Sequence, residues 1–258
     1  MEISQYERFA RIDQKHWWFI ARRKVVATVL KSTFERNGQR LDILDVGTGS
    51  GGMIAVLKPY GDLVVTEPDD QQLRFTKEKY SQSNPDVEFV HSGWEDFDPG
   101  DRKFDLITAF DVLEHCRDDR QALSKWRSWL KEEGTLLLTV PAFASLWGIN
   151  DELSHHYRRY TSSTLTQALL DTFFAIDSCS YMNALMFVPV WISRNVKDRI
   201  DRFFARGDAP QPWDFGMPPA PINFALEKLF SCETSLLPHM SLPFGTSVIC
   251  VAHRVPPD

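Results

Sequence analysis

Apolar positions in this chain gather into short, nearly unbroken runs, and the stretches between them repeat with helical spacing. The runs Leu41–Val46, Asp62–Glu67, Val87–His91, Phe104–Phe110, Thr135–Val140 and Phe174–Tyr181, with a closing run at Phe244–Arg254, read as seven strands. Strands this continuously apolar suit a parallel sheet covered on both faces, since both of their surfaces must be buried. One covering helix is expected over Met53–Leu57, stopping before Pro59, and a second from a cap on Asp69 or Asp70 to about Ser81. A third shows Leu123, Trp126 and Leu130 on one face and stops at Gly134; a fourth starts at Ser162 or Ser163 and runs to about Thr172. Phe19, Val25, Val26, Val29, Leu30 and Phe34 put another helix ahead of the first strand, with Asn37-Gly38 as its stop.

Two stretches depart from this alternation. Residues 143–161 form a long polar and aromatic connection, and connections of that length inside a compact domain are usually functional. Residues 184–243 are an insertion before the last strand: an apolar part, Leu185–Ile192, then Val196, Ile200, Phe203 and Phe204 set against Arg194, Lys197, Arg199, Arg202 and Arg206, then Pro210, Pro212, Pro218, Pro219 and Pro221. The organisation read from this pattern is an N-terminal helical cover (1–40), a core (41–183), a lid (184–243) and the closing strand of the core (244–258). The basic amphipathic part suits a lid over a pocket, a contact in a homodimer of an otherwise monomeric chain, or a segment (185–206) lying on an anionic membrane surface.

Composition narrows the partners. A net charge of −6 gives no electrostatic footprint for DNA or RNA, so nucleic acid is not an expected partner. Cys116, Cys179, Cys232 and Cys250 are scattered without ligand spacing, and the His, Asp and Glu residues show none either; no metal is expected. The cysteines read as small core residues of a reducing compartment. The first residues lack the layout of a signal peptide, and no run approaches the roughly 20 apolar residues of a membrane span. A cytoplasmic protein is expected, membrane-peripheral if the insertion lies on a bilayer.

The candidate chemistry starts at Gly47-Thr48-Gly49-Ser50-Gly51-Gly52, directly after the first strand. Glycines let a ligand approach the backbone closely, and the helix start beyond them offers unpaired N–H groups. These glycines satisfy the dinucleotide fingerprint as well as other nucleotide-like cofactor loops, which leaves an NAD(P)-dependent oxidoreductase and a non-catalytic binding protein as alternatives. Asp45, two residues before Gly47, suits a cationic ligand such as the ammonium of S-adenosylmethionine better than a pyrophosphate. His16-Trp17-Trp18-Phe19 and Arg22-Arg23-Lys24 read either as a helix pinned by aromatics or as a flap in which Trp18 and Arg22 close on the cofactor.

At this point the chain resembles the class I S-adenosylmethionine-dependent methyltransferases. Asp45-x-Gly47-x-Gly49-x-Gly51 is similar to their first motif, Glu67 to the acid ending their second strand, and Phe104–Ile107 through Asp111-Val112-Leu113-Glu114-His115 to their fourth-strand motif. The resemblance covers about residues 41–141; His16–Phe19 and the stretch from Trp147-Gly148 to Arg158-Arg159-Tyr160-Thr161 are similar to a bacterial subgroup acting on small molecules. It implies a Rossmann-like seven-stranded α/β sheet with helices on both faces, and an enzyme that moves a methyl group from S-adenosylmethionine to an O, N or C atom of a small molecule, releasing S-adenosylhomocysteine. It further implies that Glu67 takes both ribose hydroxyls, that the loop including Thr48 lies against the methionine part, and that Asp45 places the ammonium. Pro68 and Gly93-Trp94-Glu95 would flank the adenine, with Gly93 standing where the family often has an acid; Phe110 and Asp111 would line the wall near the sulfonium.

Methyl transfer needs alignment, exclusion of water and, for some acceptors, removal of a proton. His115, His155, His156 and Tyr157 are the candidate catalytic residues, with Asp151 and Glu152 as further candidates for base or clamp. His155 and His156 are adjacent, so in an extended segment only one of them faces inward. Trp147, Arg158, Arg159 and Tyr160 are candidate substrate contacts, the arginines suiting an anionic or lipid-linked acceptor. Each has a plain structural alternative: a strand-exit hydrogen bond for His115, solvated guanidiniums for the arginines, packing for the aromatics.

Overall fold

The computed structural model describes residues 3–34, 40–192, 194–195, 217–237 and 239–255. Two helices, α1 (Ile3–Lys15) and α2 (Trp17–Phe34), lead into β1 (Leu41–Val46), the short α3 (Ile54–Leu57) and β2 (Gly61–Glu67). Then follow α4 (Asp70–Tyr80), β3 (Glu88–His91), β4 (Phe104–Phe110), α5 (Asp119–Trp129), β5 (Leu130–Pro141), α6 (Ile149–Leu153) and α7 (Ser162–Leu170). The chain closes with β6 (Phe174–Met182), α8 (Phe187–Ile192), α9 (Ala220–Ser231) and β7 (Ser247–Arg254).

The seven strands form one sheet in the order β3-β2-β1-β4-β5-β7-β6. Pairing is parallel from β3 through β5, and β7 enters antiparallel between β5 and β6. The expected Rossmann-like sheet is therefore mixed rather than wholly parallel. Alternate residues of the central strands feed the two faces, as the pleat requires. Leu44, Val46, Ile107, Ala109, Leu136 and Leu138 pack with Leu123, Trp126, Leu165 and Leu169 of α5 and α7. Ile43, Leu63, Val65, Leu106 and Leu137 pack with Val25, Val26, Leu30, Ile54 and Phe230 of α2, α3 and α9.

Several expected boundaries move for local reasons. α5 ends at Trp129, not Gly134, because Leu130 is already extended and pairs with Phe104; a register shift, with Glu133 at φ +61°, then brings Thr135 opposite Leu106. α7 is capped by Thr161 rather than Ser162 or Ser163: its hydroxyl accepts from the Thr164 N–H while the Thr164 hydroxyl accepts from the Thr161 N–H. Asp69 is the cap of α4, its carboxylate accepting from the Gln71 and Gln72 N–H groups at 3.0 Å. The expected stop at Asn37-Gly38 lies outside the described residues, as does all of the basic segment at 196–206.

One helix of the insertion was hidden by its prolines. Pro219 caps α9 and Pro221 sits in its first turn, where a missing N–H costs nothing. α9 docks on α2: the Phe230 ring meets Trp17 edge-on at 6.2 Å, Asn223 Oδ1 accepts from the Trp17 N–H at 2.9 Å, and Lys24 pairs with Glu227. Among the described residues no helix is long and apolar enough to cross a membrane.

Candidate active site

The carboxyl ends of β1, β2, β4 and β5 open into a cavity of about 870 Å³, within the range of small-molecule sites and roomy enough for a nucleoside cofactor and a small acceptor. α1 and α2 roof it from one side, the connection 143–161 and α8 from the other.

The glycine loop forms the floor. Gly47, Gly49 and Gly51 all adopt positive φ, from +55° to +75°. A Cβ on Gly49 would meet nothing within 4 Å, so this backbone faces open cavity. At Gly51 the constraint is packing instead. A Cβ there would strike Thr76 and Tyr80 at 2.7 Å, so this glycine lets the loop pack on α4 and does not line the cavity.

Two buried carboxylates flank the loop. Glu67 is 8% exposed at the end of β2; its Oε2 accepts from the Gly49 N–H at 2.9 Å and its Oε1 from the Asp69 N–H at 3.2 Å. Burial raises its pKa against the pull of those two bonds. Asp45 is 1% exposed, accepts from the Thr108 hydroxyl at 2.7 Å, and burial pushes it up to about 6. A cationic ligand at Asp45 prefers the ionised carboxylate, and Glu67 shifts in the same direction. Affinity for S-adenosylhomocysteine is therefore expected to rise as pH passes upward through about 6. Asp45→Asn should flatten that rise in titrations between about pH 5 and 7.

The roof residues meet at Arg22. Its guanidinium is buried, pairs with Asp111 at 2.8 Å, donates to the Thr139 hydroxyl at 3.0 Å, and lies 4.9 Å from the Trp18 ring centroid and 5.8 Å from that of Phe110. Asp111 itself is held at φ +57°, uncommon for a residue with a side chain, by its N–H bond to the Thr139 carbonyl at 2.9 Å. Trp18, Arg22, Phe110 and Asp111 thus line one wall together. Trp18→Ala is expected to weaken S-adenosylhomocysteine binding about tenfold with little change in melting temperature, because the indole is only partly buried.

The opposite wall is organised by Asp151, whose side chain is fully buried. Its Oδ1 takes His156 Nδ1 at 2.8 Å and Arg159 Nε at 2.7 Å; its Oδ2 takes the Gly148 N–H at 2.8 Å and Arg194 Nη1 at 3.1 Å. Burial would raise this carboxyl, but His156, Arg159 and Gly148 together hold it well below the usual range. His156 then meets the His115 ring edge-on at 4.6 Å, and burial followed by the His156 charge lowers His115 to about 4. Glu114 completes the wall. It is fully buried, neither of its oxygens accepts a hydrogen bond from another residue, and burial with the nearby Asp111 charge raises its pKa well above the ordinary value.

The structure therefore sorts the sequence candidates. Asp45, Gly47, Thr48, Gly49, Glu67, Trp18, Arg22, Phe110, Asp111, His115, His156 and Arg159 line the cavity. His155, in a turn at φ +55°, is exposed and outside the lining; Tyr157 is 55% exposed and Trp147 36%, both also outside it. Arg158 and Tyr160 are corrected from substrate contacts to structural ones: both bond Asp119 Oδ2, at 2.9 and 3.0 Å, away from the cavity. Pro68, Gly93 and Glu95 cluster in a corner beside Glu67, and Trp94 packs partly on the core; none of the four lines the cavity. The roles of Thr139 and Glu114 were missed from the sequence, since a threonine inside a strand and an acid inside a strand-exit motif carry no spacing signal of their own.

Comparison with known proteins agrees with this geometry. Residues 43–134 match the sequence profile of a methyltransferase domain. The chain is similar to N-methyltransferase 4 of Papaver somniferum, 25% identical over 156 residues that make up 58% of this chain and 44% of that one. It is also similar to the ubiquinone biosynthesis O-methyltransferase of Bradyrhizobium diazoefficiens, 27% identical over 114 residues, 42% of this chain and 45% of that one. The matched segments thus span less than half the length of these curated relatives. Among solved structures, magnesium protoporphyrin IX methyltransferase of Synechocystis PCC 6803 with bound S-adenosylhomocysteine superposes with a TM-score of 0.60 at 12% identity, over 98% of this chain and 95% of that one, a likeness of fold.

Proposed function

We propose that this chain is an S-adenosylmethionine-dependent methyltransferase acting on a small-molecule acceptor. The observation that carries the reading is Glu67: a buried carboxylate at a strand end, fixed by two backbone N–H groups and lining a large cavity beside bare glycine backbone. Each of its oxygens keeps a lone pair for one hydroxyl of a sugar diol. Asp45, at the end of β1 beside the loop, would repel a pyrophosphate, which disfavours a dinucleotide.

S-adenosylmethionine, when bound, supplies a methyl group on a sulfonium that needs no further activation. In this reading Glu67 holds the ribose and Asp45 the ammonium. Trp18 and Arg22 close over the methionine end and, with the buried Trp17 and Phe19, keep water out. The acceptor enters against Glu114, His115, His156 and Arg159. Asp151 accepts the Nδ1 proton of His156, which leaves Nε2 as the atom that takes a proton from a protic acceptor.

Arg159 and Arg194 both reach the cavity wall at Asp151, and these guanidiniums support an anionic acceptor. On α8, Met186 (just before its first turn) and Val190 line the cavity while Val188, Trp191 and Ile192 are exposed, which supports a lipid-linked acceptor whose chain leaves along this helix. The test is transfer of label from methyl-tritiated S-adenosylmethionine into a fractionated bacterial extract. Label in an anionic or solvent-extractable small-molecule fraction is the expected result. Label only in nucleic acid or protein would overturn the acceptor class.

A further inference from the structure

Among the described residues, Glu114, His115 and His156 place a carboxylate oxygen and two imidazole nitrogens within 4.8 Å of one another, on the wall of the cavity. Two independent features of this wall suit a cation. Glu114 is fully buried with both oxygens unpartnered, an arrangement that is costly unless a ligand compensates it. His156 has Nδ1 engaged on the Asp151 carboxylate at 2.8 Å, which leaves Nε2 as its free donor atom. A carboxylate partner of this kind fixes the tautomer and aims the remaining nitrogen, as it does behind metal-bound histidines.

We propose that Glu114, His115 and His156 form a binding site for a divalent first-row transition ion, held by two imidazoles and one carboxylate with its remaining positions open to the acceptor. Two nitrogen donors disfavour magnesium and calcium and suit zinc, iron, cobalt or manganese. Donors about 2.0–2.2 Å from an ion stand roughly 3.3 Å apart, so binding draws the widest pair inward by roughly 1.5 Å. The segment carrying His156 can supply that movement, since this imidazole is partly exposed while Glu114 is locked in the core. The inference deepens the proposed methyltransferase reading: a bound ion would lower the pKa of a protic acceptor so that its proton leaves to water, in place of its transfer to His156 Nε2.

The experiment is cobalt(II) titration of the full chain after chelation, read by visible absorption, with zinc stoichiometry by plasma mass spectrometry. One ion per chain is expected, with about 100-fold weaker binding in Glu114→Gln and in His156→Ala. Glu114→Gln keeps the shape of a side chain whose neutral form burial already favours, so it should melt close to the parent and bind S-adenosylhomocysteine as well. Asp151→Asn, a positioning change behind His156, should weaken cobalt about 10- to 100-fold while leaving one ion per chain at saturation. Wild-type protein that binds no cobalt or zinc, or variants that bind it as tightly as the parent, would overturn the site. Cobalt binding with these dependences supports the site whether or not S-adenosylhomocysteine binds. S-adenosylhomocysteine binding without cobalt binding removes the site and leaves the methyltransferase reading standing.

Discussion

Glu67→Ala should weaken S-adenosylhomocysteine binding by about 100-fold or more, measured by calorimetry near neutral pH. Two charge-assisted hydrogen bonds to a diol are each worth about 1.5–3 kcal/mol, and a 1.4 kcal/mol loss is a factor of ten. The folded chain should tolerate the change. Glu67 is a buried acid whose ionisation is opposed by desolvation, and alanine releases that cost along with the bonds to the Gly49 and Asp69 N–H groups. Glu67→Gln keeps one acceptor in place and should lose about tenfold. Parent-like affinity in Glu67→Ala, in a protein with an unchanged melting temperature, would remove this residue from the cofactor site.

The second large effect is expected at Asp151. Arg159 is buried and bidentate on this carboxylate, with Arg194 and His156 sharing it. Removing one partner of a buried ionic cluster leaves the others uncompensated, at about 3–5 kcal/mol. Asp151→Ala should therefore lower the melting temperature by roughly 10 °C for a chain of this size, and acceptor methylation should fall with it. Asp151→Glu retains the charge but not the geometry and should recover part of the stability. An unchanged melting curve for Asp151→Ala would mean that this cluster does not hold the acceptor wall together.

The parts of the fold that depend on local pattern were legible in the sequence. The β1–loop–α3 unit, the acid at the end of β2 and the β4 exit all follow from apolar runs, glycines at positive φ and an acid at a fixed place. Glu67 could be picked out because it terminates an otherwise apolar run. What stayed hidden depends on partners far apart in the chain. Arg158 and Arg159 are indistinguishable in sequence, yet one bonds Asp119 away from the cavity and the other bonds Asp151 on its wall. His156 joins His115 and Glu114 only after the connection 143–161 folds back, with Tyr160 bridging Ala142 and the Tyr157 N–H bonded to the Glu114 carbonyl at 2.8 Å. α9 was obscured because prolines read as breakers in a run are also good starters of a helix.

The central claim is that the groove between Asp45 and Glu67 holds a methyl donor rather than a dinucleotide. Parallel calorimetric titrations of the wild-type chain with S-adenosylhomocysteine and with NADH test it most directly. Saturable binding of one S-adenosylhomocysteine per chain, with no heat from NADH, is the predicted result. Saturable NADH binding with none for S-adenosylhomocysteine would contradict the account.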